Sequence, residues 1–498
     1  MDQFNSILAI ISLLMLFCLL SSKISSFLNM PALLLFLAVG MLSGSEGPGK
    51  IVFSNVLQTN YIGLAAMAFI LFSGGFDTDF KSARKVMRTG VILSTFGVFL
   101  TALCTGGFVY LISSWMGYVL SPAWCFLLGS VISSTDAAAV FSILRSRSVS
   151  LQGDLQGLLE LESGSNDPMA AFLTVFLIGI VAEEASTDTA VAWSTYAKVL
   201  PIGFYKMAVG LLAGWLLGSF FAWLYNKIDF EYNGLYYVLG IVLVLLAYSG
   251  TELIKGNGFM AVYVAGITMG NKRFVFRNGV GRFFDGVAWM MQVILFMMLG
   301  LLATPSEVWD AKYLGLATAL FLMLAARPLA TYLCMLKSPF SWKERTLVSW
   351  VGLRGGAPIM LATFPLLANL KDSQLMFNIV FFIVITSVIL QGMTIMPLAK
   401  FLRLSAPLQK SPRAPLAFEE TGDNSSVSRE VSVPESMTGM TLAQLSLPAG
   451  VLVLLIRRHD KFIVPRGDTP LCAGDVLTLM GGNDAMGESL QKFRENGI

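Results

Sequence analysis

This sequence of 498 residues has few charged residues. Asp, Glu, Lys and Arg make up 13% of it, about half of the roughly 25% that is usual for soluble domains. Hydrophobic residues make up 55%, and the mean hydropathy is +0.71. A soluble globule of this size needs more charge to cover its surface, and a disordered chain needs low hydrophobicity. The composition therefore predicts an all-α polytopic membrane protein, because the repeated apolar stretches lack the alternation of a β-barrel.

Histidine and cysteine are also scarce. The one histidine, His459, lies outside the apolar region, so an HExxH metalloprotease motif and a histidine proton relay are excluded from the membrane. Any proton carrier there is then a carboxylate. None of the five cysteines forms a C-x-x-C motif, so neither a disulfide framework nor a zinc site is expected. No Lys or Arg run accompanies the net charge of +3, and we expect no nucleic acid partner and no cofactor.

The first residues have no basic n-region and no small-residue cleavage site, which predicts a spanning helix rather than a signal peptide. In all, thirteen apolar spans are predicted, at about 5–27, 31–46, 60–76, 88–114, 122–145, 155–182, 198–226, 233–250, 257–270, 283–303, 312–336, 346–369 and 376–403.

The charges of the loops orient these spans. Lys and Arg collect after spans 3, 5, 9, 11 and 13, whereas the loops after spans 2, 6, 10 and 12 carry acidic residues. By the positive-inside rule, the N-terminus lies outside and the C-terminus is cytoplasmic, in a multi-pass protein of the cytoplasmic (inner) membrane.

Spans 5 and 12 contain runs that oppose a continuous helix. Span 5 has GSVISSTD at 129–136, and span 12 has GLRGGAP at 352–358. The offset of seven spans is odd, so spans 1–6 and 8–13 can form an inverted repeat. Paired interrupted helices at matching positions of two repeats predict a transport site near the bilayer midplane.

Five charged residues fall in the interior of the predicted spans 5, 6 and 12. Charges in the bilayer are costly and are functional candidates by default. They are Asp136, Glu160, Glu162, Asp167 and Arg354.

Span 6 carries three of these charges in the sequence LELESGSNDP. Ser163 and Asp167 are four residues apart and share a helix face, and Pro168 frees a backbone carbonyl one turn earlier. These oxygens suit a partly dehydrated monovalent cation. The alternative is that Ser163 and Asn166 join neighbouring helices and Pro168 kinks the helix, but that does not account for Glu162 and Asp167.

The other charges have structural alternatives. Asp136 can cap a second half-helix of span 5, a role compatible with lining the ion site through Thr135. Arg354 is expected to neutralise a buried carboxylate, Glu162 in the first instance, although it can instead extend to the cytoplasmic surface. Glu160 is expected to face a wet cytoplasmic funnel. One carboxylate, Asp167, then holds a proton and a cation in turn. Exchange is obligatory and one-for-one if only the neutralised carrier can cross the membrane.

Three motifs carry a family resemblance. ESGSNDP at 162–168, STD at 134–136 and GLRGG at 352–356 resemble the cation:proton antiporter-1 family. The resemblance implies a homodimer with a mobile core and unwound helices that cross at the site. It implies K⁺ or Na⁺ at Asp167, Ser163 and Thr135, and a supporting network of Glu162, Asn166 and Arg354. The Asn-Asp pair is associated with electroneutral exchange.

The composition changes after residue 404. Residues 1–404 are assigned to the transmembrane domain, and 405–428, rich in Pro and Ser, are predicted to be a linker. Residues 429–498 contain four segments of strand character and form a small α+β cytoplasmic domain, in which TGMTLAQL is interpreted as a short helix. This region resembles the TrkA-C (RCK C-lobe) domain, which implies a regulatory small-molecule ligand.

The sequence thus predicts an electroneutral K⁺/H⁺ antiporter that is embedded in membrane lipid and is not an enzyme. A main activity of Na⁺/H⁺ exchange is the first alternative. A cation channel gated by the tail lacks a TVGYG-like filter, and an intramembrane aspartyl protease lacks a G-x-G-D motif.

Overall fold

Helices dominate the computed structural model, which describes residues 2–28, 31–146, 149–187, 193–407, 427–458 and 461–495. Within these residues the α-helices are α1 (Asp2–Leu28), α2 (Ala32–Ser43), α3 (Val56–Asp77), α4 (Phe80–Ile92), α5 (Val98–Ser113), α6 (Pro122–Val131), α7 (Ala137–Ser146), α8 (Leu155–Thr187), α9 (Trp193–Ala197), α10 (Val199–Lys227), α11 (Gly234–Leu253), α12 (Gly258–Gly270), α13 (Arg277–Leu302), α14 (Pro305–Asp310), α15 (Lys312–Phe321), α16 (Arg327–Cys334), α17 (Trp342–Trp350), α18 (Gly356–Leu367), α19 (Ser373–Phe401) and α20 (Asn483–Glu495).

Many of these helices are built to cross a bilayer. Nine helical segments of the described part of the chain are long and apolar enough to span a membrane. Four shorter apolar helices, α2, α6, α12 and α18, accompany them. The prediction of a polytopic helical membrane protein is confirmed, and the predicted first span is α1.

Small residues let some of these helices approach one another closely. A Cβ atom at Gly40 of α2 would overlap the carbonyl oxygen of Met297, and one at Gly300 of α13 would overlap that of Leu37. Backbone contact of this kind is a main source of helix association in membranes, where apolar burial alone does not drive helices together.

Two helices of the membrane region contain a π-helical turn. Leu93–Gly97 joins α4 to α5, and Leu322–Ala326 joins α15 to α16. The second turn precedes Pro328, which has no N–H for the regular i→i−4 hydrogen bond. Such turns occur frequently at functional sites, and this one leads directly into Arg327.

A two-stranded sheet joins the loop between α7 and α8 to the chain after α19. β1 (Val149–Leu151) pairs antiparallel with β2 (Ser405–Pro407). The first three residues of the predicted linker 405–428 are therefore a strand, and most of the rest, 408–426, lies outside the described residues.

The C-terminal residues form a second compact unit, to which Tyr225–Asp229 and Arg273–Gly279 also belong. Its antiparallel sheet has the order β3-β6-β4-β5. The strands are β3 (Val427–Ser432), β4 (Val451–Arg458), β5 (Lys461–Ile463) and β6 (Val476–Gly481). They confirm the four segments predicted as strands, and His459 lies outside the described residues.

The core of this unit is apolar. Ile456, Leu477 and Leu479 of the sheet pack in one cluster with Met486 and Phe493 of α20. The predicted helix at 438–445 is wrong, because the chain there makes turns and a β-bridge between Thr441 and Pro470.

Candidate functional site

Two unwound segments cross in the membrane region. Residues 132–136 separate α6 from α7, and residues 351–355 separate α17 from α18. The backbone N–H of Asp136 donates to the carbonyl oxygen of Leu353 at 2.8 Å, so the two segments are joined directly. The predicted interruptions of spans 5 and 12 are confirmed.

Glycine allows these segments to pass so closely. A Cβ atom at Gly355 would overlap the carboxylate of Asp136, and one at Gly352 would lie 2.9 Å from Arg327 Nε and 3.3 Å from Thr135 Cγ2. Gly352 and Gly355 of the GLRGG motif therefore allow the crossing, because a larger side chain at either position would clash with the first segment.

Asp167 of α8 lies beside the first unwound segment. Ser134 donates a hydrogen bond through its Oγ to Asp167 Oδ1. Both Asp167 and Asp136 are partly exposed and line one cavity of about 60 Å³. A volume of this size holds a few water molecules or a small cation.

The far wall of the cavity is mostly apolar. It is formed by α2, α3 and α13, through residues such as Leu33, Met67 and Leu295. Among the described residues that line the cavity, Gln292 of α13 provides the one polar side chain besides the two carboxylates.

The hydroxyl and amide groups predicted for the site connect α8 to the unwound backbone. Ser163 Oγ donates to the carbonyl oxygen of Thr135 at 2.9 Å and accepts from the N–H of Ala137 at 3.0 Å. Asn166 Nδ2 donates to Thr135 Oγ1 at 2.5 Å. Asn166 is buried, and its Oδ1 accepts no hydrogen bond from the residues that the structure describes.

Asp136 caps α7, as predicted. Its Oδ1 accepts a hydrogen bond from the N–H of Ala139 at 3.1 Å, the third residue of the helix. A carboxylate at this position satisfies a free backbone donor and offsets the positive end of the helix. Because Asp136 also lines the cavity, capping and site formation coexist.

The predicted pairing of Arg354 with Glu162 is wrong. Arg354 is buried, and one of its terminal nitrogens donates to the carbonyl oxygens of Ser133 at 2.7 Å and of Ser134 at 2.6 Å. Unwinding leaves these carbonyls at the end of α6 without helical donors, where partial negative charge collects. These carbonyl oxygens, rather than a carboxylate, accept the hydrogen bonds of the guanidinium.

Glu162 pairs instead with Arg327, a residue that sequence reasoning missed. Arg327 donates to Glu162 Oε1 at 2.5 Å, and 3% and 1% of the two side chains are exposed. The available signal was a lone arginine within span 11, directly before Pro328. Ser134 and Gln292 were also missed as neighbours of the aspartates.

Glu160 lies apart from this network. Its Oε1 accepts from Gln156 Nε2 at 2.9 Å, on the exposed side of α8. The cytoplasmic funnel expected around Glu160 stays a prediction.

With the geometry known, comparisons place the chain among known proteins. Residues 11–401 match the family described as "Sodium/hydrogen exchanger, transmembrane", and residues 428–493 match the TrkA-C domain. The K(+)/H(+) antiporter NhaP2 of Shewanella sp. (strain ANA-3) is 37% identical over 484 residues, which cover 96% of this chain and 82% of that protein. The K(+)/H(+) antiporter NhaP of Alkalimonas amylolytica is 38% identical over 426 residues, covering 85% and 71% respectively.

The fold is that of a solved antiporter. The structure of the sodium proton antiporter MjNhaP1 from Methanocaldococcus jannaschii at pH 8 aligns with a TM-score of 0.68, over 81% of this chain and 99% of that one. Sequence identity over this alignment is 23%, so the likeness concerns the fold.

Proposed function

This chain belongs to the sodium/hydrogen exchanger family, and on that premise we propose that it is an electroneutral antiporter that exchanges K⁺, in preference to Na⁺, for H⁺. The observation that carries the proposal is the cavity at the crossing of two unwound segments, lined by Asp136 and Asp167. The K⁺ preference rests on the names of the relatives NhaP2 and NhaP. Na⁺/H⁺ exchange as the main activity is the alternative, since a 27% identical relative is named Na(+)/H(+) antiporter 1.

Asp167 is the proposed carrier. Its carboxylate binds a proton in one half of the cycle and a cation in the other. The Ser134 hydroxyl is bonded to this carboxylate. The oxygens of Thr135 and Ser163, which are bonded to each other, are the further hard ligands proposed for K⁺ or Na⁺. The proton and the cation compete for one carboxylate, so the protein releases one ion when it binds the other.

The charge count supports one-for-one exchange. Glu162 and Arg327 cancel each other, and in the sum of the remaining charges the positive charge of Arg354 cancels the negative charge of Asp136. Asp167 then adds one negative charge, which either a proton or a monovalent cation neutralises. The loaded core then crosses the membrane with the same net charge in both directions. A full cycle therefore moves no net charge against the membrane potential, which would cost energy.

Asn166 and Ser163 support this site by hydrogen bonds to Thr135. The Asn166 amide holds the Thr135 hydroxyl, and Ser163 holds the Thr135 carbonyl. These bonds keep the first unwound segment against α8, so that Asp136 and Asp167 stay in one cavity.

The proposed topology has thirteen spans and an inverted repeat. The π-turns fall in spans 4 and 11 and the interruptions in spans 5 and 12, so both pairs have an offset of seven. We infer that spans 1–6 and 8–13 are the repeats, that the N-terminus is outside and the C-terminus cytoplasmic, and that the protein works as a homodimer in the inner membrane. Residues 1–404 form the antiporter domain, 405–428 contain the linker, and 429–498 bind a small regulatory ligand.

Proteoliposomes with an interior pH dye test the proposal. Addition of K⁺, Rb⁺, Na⁺ or Li⁺ outside acid-loaded vesicles is expected to alkalinise the interior in that order of cation preference, without a change in membrane potential. Equal or larger responses to Na⁺ would support the Na⁺/H⁺ alternative. Single-channel currents in planar bilayers would refute an exchanger.

A further inference from the structure

A second, larger cavity lies on the surface of the membrane region. A groove of about 550 Å³ runs between the Leu322–Ala326 turn and α16 on one side and α17 and α19 on the other. Sites for small molecules and lipids have volumes of roughly 300–1,000 Å³. The groove shares no lining residue with the aspartate cavity.

The polar atoms of the groove are bonded to one another. The Tyr332 hydroxyl and Thr346 Oγ1 are 2.6 Å apart, and Trp350 Nε1 donates to Thr394 Oγ1 at 2.9 Å. A polar ligand would have to break these bonds to gain its own. The surface that the groove presents to a ligand is therefore mainly apolar, which favours an apolar chain as the ligand.

The groove opens sideways. Leu324 and Phe401 belong to its lining, and 63% and 82% of their surfaces are exposed. Leu324 and Phe401 belong to helical segments that are long and apolar enough to span a membrane, so an acyl chain of the bilayer can enter the groove laterally.

The rim at one end of the groove is basic. Lys343 Nζ lies 5.9 Å from the ring centre of the exposed Trp342, whose carbonyl oxygen accepts from the Tyr332 hydroxyl. Lys400 is exposed in the last turn of α19. The neighbouring acid, Glu344, is bound in the capping box of α17. Positive charge above an apolar slot complements an anionic lipid headgroup above its acyl chain.

We propose that this groove binds an anionic phospholipid, with one acyl chain in the groove and the headgroup between Lys343 and Lys400. The groove is also connected to the Arg327–Glu162 ion pair through the residues next to Arg327 in the chain. Leu324 belongs to the π-turn that leads into Arg327, and Pro328 lines the groove. A bound chain braces the helix that positions Arg327 against Glu162.

The test uses the full chain in detergent and measures the thermal midpoint, a readout that does not require transport. Phosphatidylglycerol is titrated, with phosphatidylethanolamine of the same chains and glycerol 3-phosphate as comparisons. We expect a saturable rise with phosphatidylglycerol. The zwitterionic lipid should require about a 25-fold higher concentration, since each of the two basic side chains beside an anionic group contributes roughly a factor of five. Glycerol 3-phosphate should give no rise.

Variants locate the effect. Leu324→Trp fills the groove and should abolish the saturable rise, whereas Leu333→Trp, at a 44% exposed residue of α16 outside the lining, should retain it. The exchange of Lys343 and Lys400 for Gln, at side chains of the rim, should remove the preference for phosphatidylglycerol even where Leu324→Trp folds poorly. Identical titrations for the two Trp variants, or an unchanged lipid preference in the Gln variant, would overturn the inference.

Discussion

Glu162 of α8 and Arg327 of α16 form an ion pair of 2.5 Å that is buried in the membrane region. The pair cancels two charges that neither lipid nor cavity could solvate. It also leaves Arg354 to the carbonyl oxygens of Ser133 and Ser134. The two arginines thus have separate tasks: Arg327 neutralises a side chain, and Arg354 holds unwound backbone.

The first prediction concerns Asp167. Asp167→Asn keeps the shape of the side chain but removes the charge that a cation requires, so K⁺-driven proton release from proteoliposomes should fall to the level of empty vesicles. Asp154→Asn, at a carboxylate with 48% of its side chain exposed, is the matched control and should exchange at the wild-type rate. Persistent exchange in Asp167→Asn would place the carrier elsewhere.

The second prediction is a double-mutant cycle on the ion pair. Arg327→Met should lower stability by about 3–5 kcal/mol, because it leaves Glu162 as an uncompensated buried charge. Adding Glu162→Gln should recover part of that loss, as measured by thermal midpoints in detergent.

The control cycle uses Glu162→Gln with Arg354→Met. Because Arg327, and not Arg354, bonds directly to Glu162, the coupling in this cycle should be smaller than in the first. Equal coupling in both cycles would contradict the assigned pairing.

The third prediction concerns the contact between α8 and α12. A Cβ atom at Gly164 would overlap the ring of Tyr263. Gly164→Ala should therefore destabilise the protein by about 1–3 kcal/mol, the usual cost of overpacking, and slow exchange.

Gly179 is the matched control in the same helix, because no atom lies within 4 Å of a Cβ built there. Gly179→Ala should leave the thermal midpoint unchanged or higher, since Ala favours helix more than Gly. Addition of Tyr263→Leu should restore part of the stability that Gly164→Ala loses. The contact is unimportant if the two alanine variants behave alike.

The fourth prediction concerns Gln292. Its amide faces the cavity of the two aspartates, so its carbonyl oxygen can reach a bound cation. Gln292→Leu should raise the K⁺ concentration for half-maximal exchange about tenfold, the effect of one lost polar contact to a charged group. Met290→Leu, at a 42% exposed residue of the same helix, should not. An unchanged concentration dependence in Gln292→Leu would remove the residue from the site.

The fifth prediction concerns the tail. Removal of 408–498 keeps β2 paired with β1 and should leave transport intact while changing its dependence on ion or pH. Removal of 405–498 also unpairs Val149–Leu151 and should lower the thermal midpoint further. Complete loss of exchange by the shorter deletion, with normal membrane insertion, would count against a regulatory tail.

Several features of the site could be read from sequence. The polar runs in spans 5 and 12 predicted both interruptions, because Gly, Pro and polar residues oppose a helix wherever they occur. The Ser-Thr-Asp run predicted the cap at Asp136 for the same local reason, and the structure bears this out. Alternation of apolar residues predicted the strands of the tail.

Other features depended on distance across the fold. Arg327 lies 165 residues from Glu162 along the chain, and no local pattern distinguishes it from Arg354 as a partner. The predicted helix at 438–445 failed for a similar reason, since a bridge from Thr441 to Pro470 holds that segment in turns.

The amino-acid sequence alone therefore determined that the protein folds in a membrane and where its helices break. It also identified the acidic residues that a bilayer does not tolerate without a function. These follow from hydropathy and backbone propensity, which are properties of neighbouring residues. Only the tertiary structure decided which cation meets which anion and which hydroxyl meets Asp167. Those choices depend on how helices distant in sequence approach each other, and glycines such as Gly352 and Gly355 set that approach.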